Sequence, residues 1–516
     1  MNNSFDCIIV GSGHAGCSAA LSAAQHGCQK VLVIDKCPKE WAGGNGYFTA
    51  GAHRTVHNGL QDILPVVSNV SPEKADTIDM EPYTKDDFTG DIMRLSNNRS
   101  DPDIVRAVVD GSREAIQWLK DYVGIPFILS FHRQAYEVNG RQKFWGGMVL
   151  SVDDGGKGLI AAHHSALARS GIEVWYECPA IDLLHHDGAV VGVLVSKDGK
   201  PLELRSKSVI LATGGFEASQ DLRRQYLGET WGAARVRGTP YNTGDGLSLA
   251  QKVGALIQPP LSAFPEAGCH STCWDYNAPL AHGNRAISNQ YTKSGYPLGI
   301  MVNSAGNRFV DEGEDFRNYT YAKFGRKILE QEGGMAIQIY DAKVISWLRK
   351  EEYADDVVGK IWGDTLEELA EKLREKGLKD KTQFLDTIGA FNEAVRARQA
   401  ETPDLKWDPS VKDGVSTGKA LPLPKSNWAL PIDTAPFLAV RVACGITFTF
   451  GGLAIDPETA GVLKDAPGKE PMKGLFCTGE LVGGLFYGNY PGGSGLTAGA
   501  VFGRKAGKEA ARLAGY

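Results

Sequence analysis

The chain has no run of 18 consecutive apolar residues, so no segment is expected to cross a bilayer as a helix. Its first residues, MNNSFDCIIVG, lack the charged start and long apolar stretch of a secretory leader. The expectation is a cytoplasmic protein without membrane insertion. A basic excess is also missing: 55 Lys+Arg stand against 61 Asp+Glu, a net charge of -6. With no positive surface to meet a phosphate backbone, a nucleic-acid partner is not expected. The nine cysteines (Cys7, Cys17, Cys28, Cys37, Cys178, Cys269, Cys273, Cys444, Cys477) are odd in number, scattered, and contain no C-x-x-C. They read as free thiols rather than disulfides or a zinc site. The adjacent pairs His163-His164 and His185-His186 lack metal-ligand spacing and read as surface residues, so no metal is implied. Haem and iron–sulfur spacings are absent too, so any electrons must pass to a separate partner such as a quinone, a dye-like carrier or O2.

What is abundant is glycine, 62 in 516 residues, about one in eight against a usual ~7%. That excess suggests backbone brought close to a ligand. At 42% hydrophobic and 22% charged, the chain can bury a large core divided among two to four domains. Asp6 to Val10 is a short apolar run, His14 to His26 has helical spacing, and Val31 to Ile34 is a second run ending at Asp35. This is a βαβ unit. A helix is expected from about Asp101 to Val123 and another over Gly156 to Ser170. Strands are expected over Ile172 to Tyr176, Ala189 to Ser196 and Ser208 to Leu211, the last running into Ala212-Thr213-Gly214-Gly215. From about Pro265 to Pro436, aromatic loops and charged helices replace this pattern, and the tail then returns to short strands, Gly-rich turns and a small-residue helix. The fold class expected is α/β, a discontinuous Rossmann-like domain (1–264 and 436–516) with an inserted α+β capping domain (265–435).

Gly11-Ser12-Gly13-His14-Ala15-Gly16 is G-x-G-x-x-G between a strand and a helix. Gly11 makes the turn, Gly13 admits a pyrophosphate to the backbone, and Gly16 lets the helix pack on the strand. The helix N-terminus then favours the anion. Asp35, closing the second strand, is placed to accept from ribose hydroxyls. Two further Gly-rich segments, Gly43-Gly44-Asn45-Gly46 and Glu480 with Gly493-Ser494-Gly495-Leu496, favour a cofactor held along its whole length, and so FAD over NAD. No histidine follows Gly44 until His53, so attachment is expected to be non-covalent.

Over nearly its whole length the chain resembles the flavoprotein family of fumarate reductases, succinate dehydrogenases and 3-ketosteroid dehydrogenases, with a pattern nearest the tricarballylate dehydrogenases. The likeness rests on Gly43-Gly44-Asn45, Gly306-Asn307-Arg308-Phe309-Val310-Asp311-Glu312, Asp315-Phe316-Arg317-Asn318-Tyr319-Thr320-Tyr321, Cys444-Gly445-Ile446-Thr447-Phe448-Thr449-Phe450-Gly451-Gly452 and Asn489-Tyr490-Pro491-Gly492-Gly493. It implies that Lys36, Thr49, Ala50, Gly51, Ala212, Thr213, Gly214 and Asp245 join the cofactor site. It also implies hydride transfer between flavin N5 and the carbon β to a carbonyl or carboxylate of a small-molecule substrate, with a proton moving at the α carbon. That chemistry needs donors for developing negative charge, an acid/base, and exclusion of water.

The pattern also departs from the family. Where fumarate reductases carry an arginine in the capping segment, a histidine before T-x-G-G and an arginine before the last Gly-rich turn, this chain has Phe316, Phe448 and Tyr490, and Ala50 replaces an arginine found in tricarballylate dehydrogenases. Candidate catalytic residues are Arg317, Tyr490, His270 and Tyr319, with Tyr321 beside the last. His53 and Arg54 are candidate anion holders, and Arg308 is expected to brace the cap. The alternatives are a ketosteroid-like desaturase of a bulky ketone and a flavin-dependent non-redox isomerase.

Overall fold

The computed structural model describes residues 4–516. Strand β1 (Ser4–Val10), helix α1 (His14–Gln25) and strand β2 (Val31–Ile34) form the first unit. The apolar run Cys7 to Val10 is buried on both faces, as expected of a parallel strand covered by helices. Helices α2 (Lys85–Leu95), α3 (Pro102–Trp118) and α4 (Gly155–Arg169) follow, then strands β3 (Glu173–Trp175), β4 (Ala180–His186), β5 (Ala189–Lys197) and β6 (Lys200–Leu211). Asp101 caps α3 by accepting from the Asp103 and Ile104 amides, and Pro102 occupies its first turn. The strand expected at Ser208 to Leu211 is longer than the apolar run, because its polar first half pairs antiparallel with β5.

The second lobe adds β7 (Cys269–Asp275), β8 (Ile300–Asn303), β9 (Met335–Tyr340), α5 (Leu366–Arg374) and α6 (Lys381–Glu401). The 13-residue strand β10 (Phe437–Thr449) then leads back through β11 (Gly461–Leu463) and β12 (Pro471–Cys477) to α7 (Ser494–Ala514). In the first lobe, β12, β6, β1, β2 and β3 lie side by side and parallel. Helices α1 and α7 pack together on this sheet at their small residues: a Cβ at Gly507 would meet the Ala19 carbonyl at 2.4 Å.

In the second lobe, β10 is the spine, pairing antiparallel with β7 and β9. Two hydrophobic clusters, one of residues between 273 and 442 and one between 300 and 439, give this lobe its own core. Because β10 starts in that core and ends at Thr449 beside the first lobe's Glu480 (Thr449 N to Glu480 Oε1, 2.8 Å), its last residues stand where the two lobes meet. Among the described residues, no helix is long and apolar enough to cross a membrane. All nine cysteines are free and buried.

Candidate active site

A single cavity runs from the end of β1 to the junction of the lobes, with the Gly-rich turns at one end and rings and arginines at the other. At one end Gly11 has φ +112°, and a Cβ there would lie 2.3 Å from the Ala212 carbonyl, so only glycine fits the turn. A Cβ at Gly16 would lie 2.0 Å from the Gly11 carbonyl, which is the close helix–strand approach expected of the third glycine. Gly13 and Gly493 are the N-cap residues of α1 and α7, and no side chain caps either helix. Their first amides are therefore left to an anion or dipole in the cavity. Asp35 accepts from the Ser12 amide and hydroxyl (2.8 and 2.7 Å), and Lys36 pairs with Asp245. These residues fit the adenosine and pyrophosphate parts of FAD.

Asn45 is tied down by Glu217 Oε1 (2.6 Å) and by the Thr239 amide (3.0 Å). Fully buried Glu217 and half-buried Glu480 form a carboxyl pair. Burial and the charge of Glu217 push Glu480 well above the ordinary carboxyl range, so it carries the proton. His14 hydrogen-bonds the Leu496 carbonyl (2.9 Å) and His163 (2.8 Å), and burial lowers it to about 4, so this ring is neutral.

The other end is a chamber with two unlike walls. On one side the register of β7 on β10 sets His270 opposite Phe448, and their rings stack at 5.3 Å. Tyr321 and Tyr490 meet His270 edge-on at 4.8 and 5.2 Å and hydrogen-bond each other through their phenols. Burial raises both tyrosines above their ordinary range, and burial with the charge of Arg237 pushes His270 well below its own. These groups are therefore neutral at pH 7, and both His270 ring nitrogens lack a protein partner.

On the other side are Arg133, Arg237, Arg317 and Arg349 with one carboxylate, Glu352. Glu352 accepts from Arg349 (3.2 Å) and from the Ser294 amide and hydroxyl (2.9 and 2.6 Å), with Arg133 at 3.7 Å. Burial works to raise Glu352, but the arginines and Ser294 outweigh it and hold it below its ordinary value. Arg317 and Arg349 both donate to the Arg133 carbonyl. Arg133 is lowered by burial and then by the like charge of Arg349, with Glu352 acting in the opposite direction.

Of the residues expected at the cofactor, Gly11, Gly13, His14, Ala15, Asp35, Lys36, Gly43, Gly44, Asn45, Thr49, Ala50, Ala212, Thr213, Gly214, Asp245, Glu480, Gly493, Gly495 and Leu496 line the cavity. Gly16, Gly51 and Ser494 support it from behind; Ser494, for instance, donates to the Pro491 carbonyl (2.5 Å). Arg317, Tyr490 and His270 line the chamber. Tyr319 does not, which corrects the expectation. Arg317–Thr320 is a helical turn, and at ~100° per residue Arg317 and Tyr321 share a face while Tyr319 turns away. Its hydroxyl donates to Asp91 (2.6 Å).

His53 and Arg54 are corrected as well: both are fully buried behind the cofactor loop, with Arg54 held by the Gly492 carbonyl (2.8 Å), Tyr83 (2.8 Å) and Asp91 (3.3 Å). His163 is not a surface residue but is fully buried against His14. Arg308 braces the cap through Glu312 (2.5 Å) and the Leu423 carbonyl (2.9 Å). Sequence reading missed Arg133, Arg237, Arg349 and Glu352, which belong to no short motif and are up to 219 positions apart.

A family model described as "FAD binding domain" matches residues 6–496. The chain is 27% identical over 515 residues to an NADH:fumarate oxidoreductase of Klebsiella pneumoniae (strain 342), covering 99% of this chain and 48% of that protein. It thus spans about half the length of that relative. The solved open conformation of a flavocytochrome c3 fumarate reductase superposes with a TM-score of 0.70 at 25% identity, over 99% of this chain and 79% of that one. A 3-ketosteroid delta1-dehydrogenase from Sterolibacterium denitrificans shares the fold at TM-score 0.72 and 20% identity, over 99% and 100% of the two chains.

Proposed function

For a chain that belongs to the FAD binding domain family, we propose an oxidoreductase that moves a hydride between non-covalently held FAD and the carbon β to a carboxylate of a small organic acid. FAD, when bound, supplies the two-electron hydride donor or acceptor. The observation that carries the reading is the excess of guanidinium over carboxylate in a chamber continuous with the cofactor cradle. Such a cluster favours a carboxylate ligand, to which arginine offers a planar, charge-assisted fork.

In the reductive direction the β carbon gains the hydride, the C=C π pair takes a proton at the α carbon, and an external low-potential donor recharges the cofactor. Arg133, Arg317 and Arg349 hold the carboxylate and stabilise the charge that develops on it. Tyr490, paired with Tyr321 and neutral, is the phenolic donor facing the cofactor's end of the chamber. With Arg317, it is our candidate for exchanging the proton. A tricarboxylate fits less well, because one arginine cluster faces a wall of rings. The phenol pair favours a second reading, a ketone polarised by Tyr490, as in the ketosteroid dehydrogenases that share this fold.

The test is to bleach FAD-loaded protein anaerobically with dithionite and then add 2-enoic acids or cyclic enones. Return of colour with an enoate, and none with the saturated acid, is expected. Failure of every enoate to restore colour, with no saturated acid bleaching the oxidised protein, overturns the reading. Colour returning only with neutral enones selects the ketone alternative.

A further inference from the structure

The chamber wall opposite the arginines is aromatic and uncharged. Phe448 is the only half-exposed ring among Phe448, Phe450, Phe486 and Tyr490, the other three being 2%, 9% and 6% exposed. Its open surface belongs to the cavity. It is held upright by its stack on His270 and by edge contacts from Tyr490 (5.1 Å), Phe450 (5.2 Å) and Phe486 (6.3 Å). The ring is therefore fixed before any ligand arrives, so stacking on it costs little ordering of the protein. Gly495, the second residue of α7, has Phe448 Cζ and Tyr490 Cε2 3.8 and 4.0 Å from where a Cβ would be, so the two rings border the helix end that closes the cofactor cradle.

Arg237 stands between the walls. It donates to Thr447 (3.1 Å), its charge acts on Tyr321 and Tyr490 on one side, and it acts on Arg133 on the other. A ligand spanning the chamber thus meets guanidinium at one end and ring faces at the other. A second carboxylate laid on the Phe448 ring would lose water against an apolar face, and Arg237, the cation beside that wall, already donates to Thr447. A flat arene there would instead gain apolar burial and ring–ring contact. The unpartnered nitrogens of His270 add a polar edge able to meet a ring heteroatom or hydroxyl.

We propose that the chamber takes 3-arylpropenoic acids and their saturated 3-arylpropanoic counterparts, with the carboxylate on the Arg133/Arg317/Arg349 cluster and the aryl ring on Phe448. This rests on the hydride-transfer reading above and narrows its substrate to a conjugated aromatic monocarboxylate.

The test uses the full-length FAD-loaded protein in its oxidised form, titrated with 3-phenylpropanoate, propanoate and succinate and followed by calorimetry and by the shift of the flavin visible band. 3-Phenylpropanoate should bind at least about tenfold more tightly than propanoate or succinate, since a buried phenyl group contributes more than ~1.5 kcal/mol. Phe448→Leu should weaken 3-phenylpropanoate by about 3- to 10-fold, the worth of a ring–ring contact, and leave propanoate unchanged. Phe448→Ala should deepen the loss in the same ligand only. Succinate binding as tightly as 3-phenylpropanoate, or equal losses for both monocarboxylates in Phe448→Leu, would overturn the assignment. A separate readout keeps the two readings apart. If fumarate restores colour to the reduced protein and cinnamate does not, the aryl assignment alone fails. If no enoate does so while 3-phenylpropanoate still binds, the hydride-transfer reading fails and the binding assignment stands.

Discussion

The Arg349–Glu352 pair separates a structural role of the chamber arginines from ligand recognition. Glu352 is fully buried, and Arg349 is its nearest cation at 3.2 Å, with Arg133 at 3.7 Å. Removing one partner of such a pair usually costs ~3–5 kcal/mol because a charge is left buried. Here Glu352 keeps both hydrogen bonds from Ser294 and the more distant Arg133, so Arg349→Met should destabilise the fold by about 2 kcal/mol, below that range. The same variant removes one charged fork from the ligand, worth ~1.5–3 kcal/mol or about 10- to 150-fold in carboxylate affinity. The double variant Arg349→Met/Glu352→Gln removes both charges of the pair. It should recover most of the stability, read by denaturant unfolding, while carboxylate affinity, read by titration of the oxidised flavoprotein, stays low. If affinity returns with stability, or if Arg349→Met binds carboxylates as the parent does, the claim that this arginine holds the ligand is refuted.

Tyr490→Phe should lower turnover by about 100-fold, the usual cost of losing one donor to developing negative charge. The ratio of flavin to protein absorbance should be unchanged; equal rates in parent and variant would remove Tyr490 from the chemistry. Gly11→Ala drives a Cβ to 2.3 Å from the Ala212 carbonyl at φ +112°, so the purified variant should be colourless and should not regain colour with added FAD. A fully yellow variant would mean that this turn is not the cofactor's.

Burial lowers His14 to about 4 and His53 to about 3 from an ordinary 6.5. Below pH 6.5 the unfolded chain binds protons that the folded chain does not, so stability present at neutral pH is lost as pH falls from about 6.5 toward 4. His14 alone accounts for about 3 kcal/mol at ~1.4 kcal/mol per pH unit. Denaturation midpoints at pH 7.5 and 4.5 should show the drop, and His14→Asn should shrink it. A midpoint that His14→Asn leaves equally pH-dependent would contradict the assignment.

The cofactor cradle was legible because each of its parts is short in sequence. A buried strand, a turn with glycine at φ +112°, a helix and an acid 19 positions after Gly16 are neighbours along the chain, and backbone sterics force such a pattern into one local geometry. Tyr490, His270 and Arg317 were legible only through family resemblance, and Tyr319 was misjudged because the strings Arg317 to Tyr321 do not reveal whether the backbone is extended or helical there. His163 and Arg54 were misjudged for another reason. Polar side chains are usually exposed, and only their partners, His14 for one and Asp91, Tyr83 and Gly492 for the other, explain why these two are not.

By itself, then, the sequence determined a dinucleotide cradle, which is written in contiguous residues, and a family of chemistry, which is written in several short motifs along the chain. The substrate chamber was decided by tertiary structure alone. Its arginines lie at positions 133, 237, 317 and 349; Arg133 and Arg349 meet at Glu352, Arg317 joins them at the Arg133 carbonyl, and Arg237 is held by Thr447 near the end of β10. No local preference can bring like charges together: their approach is held in place by the packing of two cores and one shared strand.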